Sequence, residues 1–391
     1  MKLTKTLLTC PTNFRLRSIN NYYTKCHTIF ENILFNLNLR SSEEKNYNFN
    51  NLINSSLSKN RQIQQISNYL KITSQTTFKP FTDCRFISDE LMHNILTKHT
   101  LVRDITAQHN SNKIMMRLYS TYDDSRCFNQ SLDIANKFTK IFSLLELLNV
   151  KNKTIHIYYA PVDLPKLMPH NEHFGINNIN SGGTIHTLSQ SLIVLFRKEE
   201  SDKVLIHELI HFLRLDFSMS DIYLDNVYDI SNQVIDEFNV SKNYSKINLF
   251  EALTDCLGII FNSIFNCILT KSNINDYFYT EYCYCLSVAD RIIKKSGFKN
   301  VNHFLDKNNT LYLDQSTSVL AYYILKCSLM NNTDTVLTKY FPKYNFEWNL
   351  RDIYQFYKLT KKDLYLIQKI LANPTINNSL RMTYNDLNYY Y

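Results

Sequence analysis

The run from Leu249 to Leu269 is the most apolar in the chain, and it carries Glu251, Asp255, Asn262 and Asn266. As a helix it reaches about 30 Å, long enough to cross a bilayer. A membrane span would leave two carboxylates in hydrocarbon, which is costly without partners. The run is therefore read as a core helix of a globular protein whose carboxylates bind something, and no transmembrane anchor is expected. Glu251 and Asp255 are four apart and share one helix face. Burying such a helix demands a large surrounding core, and 391 residues with 44% apolar content can supply it.

Around that helix the chain reads as α+β in three parts. Residues 1–150 are expected to be a mainly helical N-terminal region. Within it, Ser131–Leu148 places Leu132, Ile134, Phe138, Ile141, Phe142 and Leu145 at helical spacing, and the polar Ser41–Arg61 stretch reads as a loop. Residues 151–330 form the expected core. Thr154–Ala160 is a β-branched and aromatic strand, followed by the breakers Pro161, Pro165 and Pro169. Gly182-Gly183 predicts a sharp turn, and Ser191–Arg197 a second strand. From Asp202 the pattern is helical, with clear helices near Ile247–Leu269 and Ser316–Leu329. Residues 331–391 read as a helical tail that includes Lys362–Leu371. Strands gathered ahead of a helical half indicate α+β.

The segment that carries chemistry is Val204-Leu205-Ile206-His207-Glu208-Leu209-Ile210-His211, an HExxH. On a helix the two imidazoles project from one face and converge on one ion. Glu208 points to the edge of that site, where it can take a proton from water. Ser201 or Asp202 is the expected N-cap, with Glu199 and Glu200 suited to the positive helix end. Leu205, Leu209, Phe212 and Leu213 form the apolar stripe. A catalytic zinc needs a third protein ligand. Glu251 is the candidate, and Asp255 would receive the outer N–H of a ligating histidine. Glu237 is the rival, but the residue four later is Ser241, so it lacks a supporting Asp.

HELIH followed by Glu251-Ala252-Leu253-Thr254-Asp255 resembles the gluzincins, the thermolysin-like and neprilysin-like zinc metallopeptidases. The resemblance covers Thr184 to Leu269. It implies a thermolysin-like core in which a small sheet precedes the HExxH helix and the ExxxD helix. It also implies Zn2+ held by His207, His211 and Glu251, with Glu208 as general base, Asp255 orienting a ligand histidine, and a peptide or protein substrate. His303, Tyr322 and Tyr323 are candidates for the family's downstream oxyanion stabiliser. The chain departs from the pattern in a longer gap between His211 and Glu251 than thermolysin has. The metzincin extension would need Gly at 214 and His at 217. The chain has Arg214 and Phe217, which excludes that class.

The competing readings are a non-catalytic zincin-fold scaffold or virion component, and a basic nucleic-acid-binding protein. The net charge of +8 comes from 43 basic and 35 acidic residues, and they lie in short mixed runs that read as solvated surface. No nucleic-acid partner is expected. Five glycines and seven prolines exclude collagen-like and Pro-rich architectures, and no glycine-rich phosphate loop occurs. Nine cysteines, unpaired in spacing apart from a Cys283–Cys285 CxC, indicate reduced thiols. Met1–Arg17 lacks a signal-peptide core, so an intracellular location is expected. Asp216, Asp221 and Asp225 read as a solvated loop, and His170, His173 and His186 as ordinary loop or strand residues. The aromatic residues of Tyr312–Tyr323 read as helix packing. The Asn-, Lys- and Tyr-rich texture resembles proteins of AT-rich genomes, large DNA viruses among them.

Overall fold

Strand alternation before residue 150 sets the architecture. The computed structural model describes residues 16–36, 38–41, 46–48, 86–99, 101–121, 127–171, 173–186, 191–216, 232–234, 236–241, 248–341, 347–369 and 379–384. Its elements in chain order are α1 (Arg17–Asn36), β1 (Asn38–Ser41), β2 (Asn46–Asn48), α2 (Asp89–Lys98), β3 (Leu101–His109), β4 (Asn112–Ser120), α3 (Cys127–Leu147) and β5 (Thr154–Tyr159). There follow β6 (Gly182–His186), β7 (Ser191–Leu195), α4 (Ser201–Phe212), α5 (Phe250–Thr270), α6 (Ile274–Lys295), α7 (Val301–Leu305), α8 (Lys326–Asn331) and α9 (Leu350–Lys361). The chain is thus a mixed α and β protein, as expected. It divides into two compact units.

One unit comprises residues 23–164 and 180–212. Its mixed sheet has the strand order β2-β1-β3-β4-β5-β7-β6. β4, β5 and β7 run parallel, and the other pairings are antiparallel. This corrects two expectations. Four of the seven strands precede residue 150, so the sheet is not confined to 151–330, and the N-terminal region is not simply helical. In β4, Ile114, Met116 and Leu118 are buried while Lys113 and Met115 face out. Arg117 on β4 forms a two-pronged salt bridge with Asp104 on β3, at 2.7 and 2.8 Å. Asn46–Asn48 is a strand where a loop was expected, and residues 49–61 lie outside the described set. The helical spacing of Ser131–Leu148 is realised in α3, which buries Ile134, Phe138, Ile141, Phe142 and Leu145.

Gly182 and Gly183 are a second correction of detail. They lie in the outer strand β6, paired with Leu195 and Val194, and not in a turn. Their role is close packing. A Cβ on Gly182 would come within 2.7 Å of the Val194 carbonyl oxygen, and one on Gly183 within 2.4 Å of the Phe86 ring. α4 packs on β6 and β7.

The other unit comprises residues 1–22, 165–179 and 213–391. Its centre is α5, buried from Ala252 to Ile268 and packed against α6, α8 and the π-helical turn Leu320–Leu325. α5 is long and apolar enough to span a membrane, but 94% of its most apolar window is buried inside the protein. It is a core helix. Asn273 caps α6 by accepting from the backbone of Asn275 and Asp276, and Asn349 with Asp352 forms a capping box on α9. The expected tail from 331 belongs to this unit and is no separate piece.

Candidate metal centre

α4 is buried on nearly every face, with each residue from Lys203 to Ile210 withdrawn from solvent. Its entry is fixed by charge. Glu200, at φ 61°, accepts the first helical hydrogen bond from Val204 N–H at 2.9 Å. Positive φ is uncommon for a residue with a side chain. Glu200 therefore stands where Ser201 or Asp202 was expected as cap. Asp202 instead receives two ammonium groups from α3, with Lys137 Nζ donating to Oδ1 at 2.5 Å and Lys140 Nζ donating to Oδ2. Lys137 also donates to Asp133. Both lysines are fully buried. Burial alone would raise the Asp202 carboxyl, but the Lys137 and Lys140 ammonium groups outweigh it and hold the group well below the usual range. Asp133 moves the other way, raised by burial and by the Asp202 charge against the pull of Lys137. Tyr159 donates to Ser201 Oγ at 3.2 Å and completes the anchor. Lys137 and Lys140 were not singled out from sequence.

One turn further along the helix the two histidines meet. His207 Nε2 and His211 Nε2 are 3.1 Å apart, and the rings are near-perpendicular at 77°. Two ligands on one tetrahedral zinc, with Zn–N bonds of about 2.05 Å, have nitrogens about 3.3 Å apart. The observed separation fits that requirement closely. His207 and Glu208 are each 5% exposed. Thr184 Oγ1, on β6, lies 2.9 Å from both Glu208 Oε2 and the Glu208 carbonyl oxygen, so its hydroxyl fixes the carboxylate on one side. No local pattern in the sequence marks Thr184 as a partner of Glu208.

Glu251 lies in the first turn of α5 and is partly exposed. His207 and His211 belong to one compact unit and Glu251 to the other. The donor set of two imidazoles and one carboxylate suits zinc. Asp255, fully buried on the same helix, accepts at Oδ2 from Lys326 Nζ at 2.7 Å. Lys326 is thus a partner that the sequence did not reveal. Thr254 Oγ1, between the two carboxylates in sequence, donates to Asp216 Oδ2 at 3.1 Å. Asp216 is 3% exposed, which corrects its reading as solvated loop. Asp221 and Asp225 lie outside the described residues.

The rival ligand Glu237 is engaged by Lys361 and by the Tyr357 hydroxyl. Of the oxyanion candidates, Tyr323 donates its hydroxyl to the Leu380 carbonyl at 2.6 Å, inside the core. His303 Nδ1 accepts from Lys299 N–H at 3.1 Å, in the short helix α7. Tyr322 is partly exposed on the π-helical turn. His186 is paired with Ser191 Oγ at 2.8 Å across the β6–β7 hairpin.

Comparison with known proteins gives one relationship. The chain is 25% identical over 216 residues to uncharacterized protein R210 of Acanthamoeba polyphaga mimivirus, a match that covers 51% of this chain and 52% of that protein. The chain therefore spans about half the length of this curated relative. No protein-family model matches, and no solved structure matches.

Proposed function

We propose that the chain is a zinc-dependent peptidase of gluzincin type, with His207, His211 and Glu251 as metal ligands and Glu208 as general base. The observation that carries the reading is the 3.1 Å approach of the two Nε2 atoms on a buried helix that also bears Glu208. In this reading the Glu251 carboxylate supplies the third donor that a catalytic zinc requires. Zinc, when bound, supplies Lewis acidity toward a substrate carbonyl and an attacking water. Glu208 takes the proton of that water as the oxygen attacks the peptide carbonyl carbon, and then returns it to the leaving amine. Thr184 Oγ1 lies 2.9 Å from Oε2 of Glu208 and orients the carboxylate.

The similarity to a mimivirus protein supports a setting in a large DNA virus. Cys26, Cys256, Cys267, Cys283, Cys285 and Cys327 are free thiols, which supports a reducing compartment of the host cell or virion interior.

The test is zinc per chain by elemental analysis, followed by a peptide-library screen. Wild type should carry one zinc per chain, His211→Ala and Glu251→Ala should lose it, and Glu208→Gln should keep it while hydrolysis disappears. A folded wild type that takes up no zinc after reconstitution would replace this reading by the non-catalytic scaffold. A fully active Glu208→Gln would remove the mechanism.

A further inference from the structure

We propose that Asp314, His173 and Ser316 form a serine-nucleophile site for acyl transfer from carboxylic esters, using none of the HExxH residues. His173 Nδ1 lies 3.0 Å from Asp314 Oδ2, and His173 Nε2 lies 3.2 Å from Ser316 Oγ. A carboxylate only accepts hydrogen bonds, so in the neutral ring Nδ1 carries the proton. The Nε2 lone pair is then the acceptor for the Ser316 hydroxyl. Acid, imidazole and hydroxyl joined through opposite ring nitrogens is the arrangement that activates a serine.

The simplest other account is that these side chains merely pin two loops together. The backbone already does that. Phe174 N–H donates to the Asp314 carbonyl at 2.9 Å, and Ser316 N–H donates to the Phe174 carbonyl at 3.0 Å. This parallel bridge is anchored by Phe174 and Gln315, at 0% and 3% exposure. Leu313 is fixed in turn, donating to Asn239 O at 2.7 Å and accepting from Ser241 N–H at 3.0 Å. The ladder sets the spacing of 173–175 against 314–316, and the three side chains sit on top of it, facing water. The His173 and Asp314 side chains are 42% and 36% exposed, and Ser316 is exposed as well. Gly175 keeps the approach clear. A Cβ there would lie 3.7 Å from both His173 Nε2 and Ser316 Oγ, in the space an acyl group would take.

The chemistry balances without a further reactant except water. His173 Nε2 accepts the Ser316 hydroxyl proton as Oγ bonds to the ester carbonyl carbon. The carbon–alkoxy bond breaks, and the alcohol leaves with that proton. Water then adds to the acyl-serine carbonyl and gives one proton to Nε2. The carbon–Oγ bond breaks, the acid departs, and Ser316 Oγ recovers its proton from Nε2. The open setting suits small esters with good leaving groups.

The experiment uses the full chain with a fluorophosphonate probe, peptide mass spectrometry to locate the label, and p-nitrophenyl acetate as substrate, all with a metal chelator present. The label should fall on Ser316 and vanish in Ser316→Ala. Labelling and ester hydrolysis should drop about a hundredfold or more in His173→Ala and Asp314→Asn, the low end of general-base contributions. Glu208→Gln should label like wild type, which separates this site from the metallopeptidase reading. Circular dichroism checks that each variant is folded. Should His173→Ala be misfolded, Gly175→Ala replaces it, and slowed labelling with native dichroism is expected there. Absence of label at Ser316, or equal labelling in folded His173→Ala and Asp314→Asn, would overturn the proposal.

Discussion

Replacing Lys326 by Met isolates what the buried carboxylate on α5 contributes. Lys326 and Asp255 are 1% and 0% exposed, and the Nζ–Oδ2 distance is 2.7 Å. Removing the ammonium leaves the carboxylate in a low-dielectric interior. Breaking a buried pair from one side costs about 3–5 kcal/mol, whereas replacing both charges by apolar groups is often near neutral. Trp348 gives a local probe. It is the chain's single tryptophan, 5% exposed and stacked on Tyr340 at 5.5 Å, in the same compact unit as the ion pair. Urea unfolding followed by its emission, with a slope of about 3 kcal/mol per molar, converts that cost to a midpoint lowered by about 1–2 M. Asp255→Leu with Lys326→Met should recover most of the loss. Zinc retention divides the roles further. If Asp255 steadies a ligand histidine, Lys326→Met keeps zinc below its unfolding midpoint and Asp255→Asn does not. A midpoint change under about 0.3 M for Lys326→Met, or a double variant no better than the single, would refute the reasoning.

Three further outcomes follow from named contacts. Thr184→Val should retain zinc and lower kcat for peptide hydrolysis with little change in KM, and Thr184→Ser should restore it, because only the hydroxyl bridges to Glu208. Gly182→Ala should lower the melting temperature while Gly175→Ala leaves it nearly unchanged, since the first Cβ meets a backbone oxygen at 2.7 Å and the second meets nothing nearer than 3.7 Å. Overpacking of the first kind costs about 1–3 kcal/mol. Asp202 has a depressed folded pKa, so its contribution is complete above the ordinary aspartate range near pH 4 and is lost as pH falls through the lower folded value. Asp133 is raised, so its effect has the opposite sign and opposes stability as pH rises through its folded value. Asp202→Asn should therefore cost stability at neutral pH and flatten the acid limb of a pH-dependent melting curve. An acid limb as steep as in wild type would contradict the assignment.

Legibility from sequence followed the range of each interaction. The approach of His207 and His211 was readable because its geometry is set by one helical turn. The β3–β4 hairpin was missed because Arg103, Asp104, Lys113 and Arg117 obscure the alternation, and because the connecting Asn110-Ser111 contains no glycine. Lys137 and Lys140 look like the wet face of an amphipathic helix. Their burial depends on Asp202, more than 60 residues away in sequence. The same holds for Lys326 and Asp255, 71 residues apart. Gly182 and Gly183 were visible as a signal, but glycine serves tight turns and close packing alike, and only the neighbours Val194 and Phe86 decide between them.

These long-range pairs share an energetic logic that bears on the proposed metal. Buried ionic groups are tolerated when opposite charge or hydrogen bonds meet them. Asp202 is met by two ammonium groups, Asp255 by Lys326, and Glu281 by the Thr383 hydroxyl and the Tyr384 N–H. In each case a negative group is answered by a donor from the chain itself. The proposed ligands His207, His211 and Glu251 call for a different counter-charge. Neutral imidazole offers a lone pair and carboxylate offers two oxygens, the donor set that a divalent cation takes. Protonating one imidazole would also place a donor between acceptors, so the two accounts separate by titration. Zinc binding should release protons and persist at neutral pH, whereas a protonated pair would hold best in acid and show no zinc uptake.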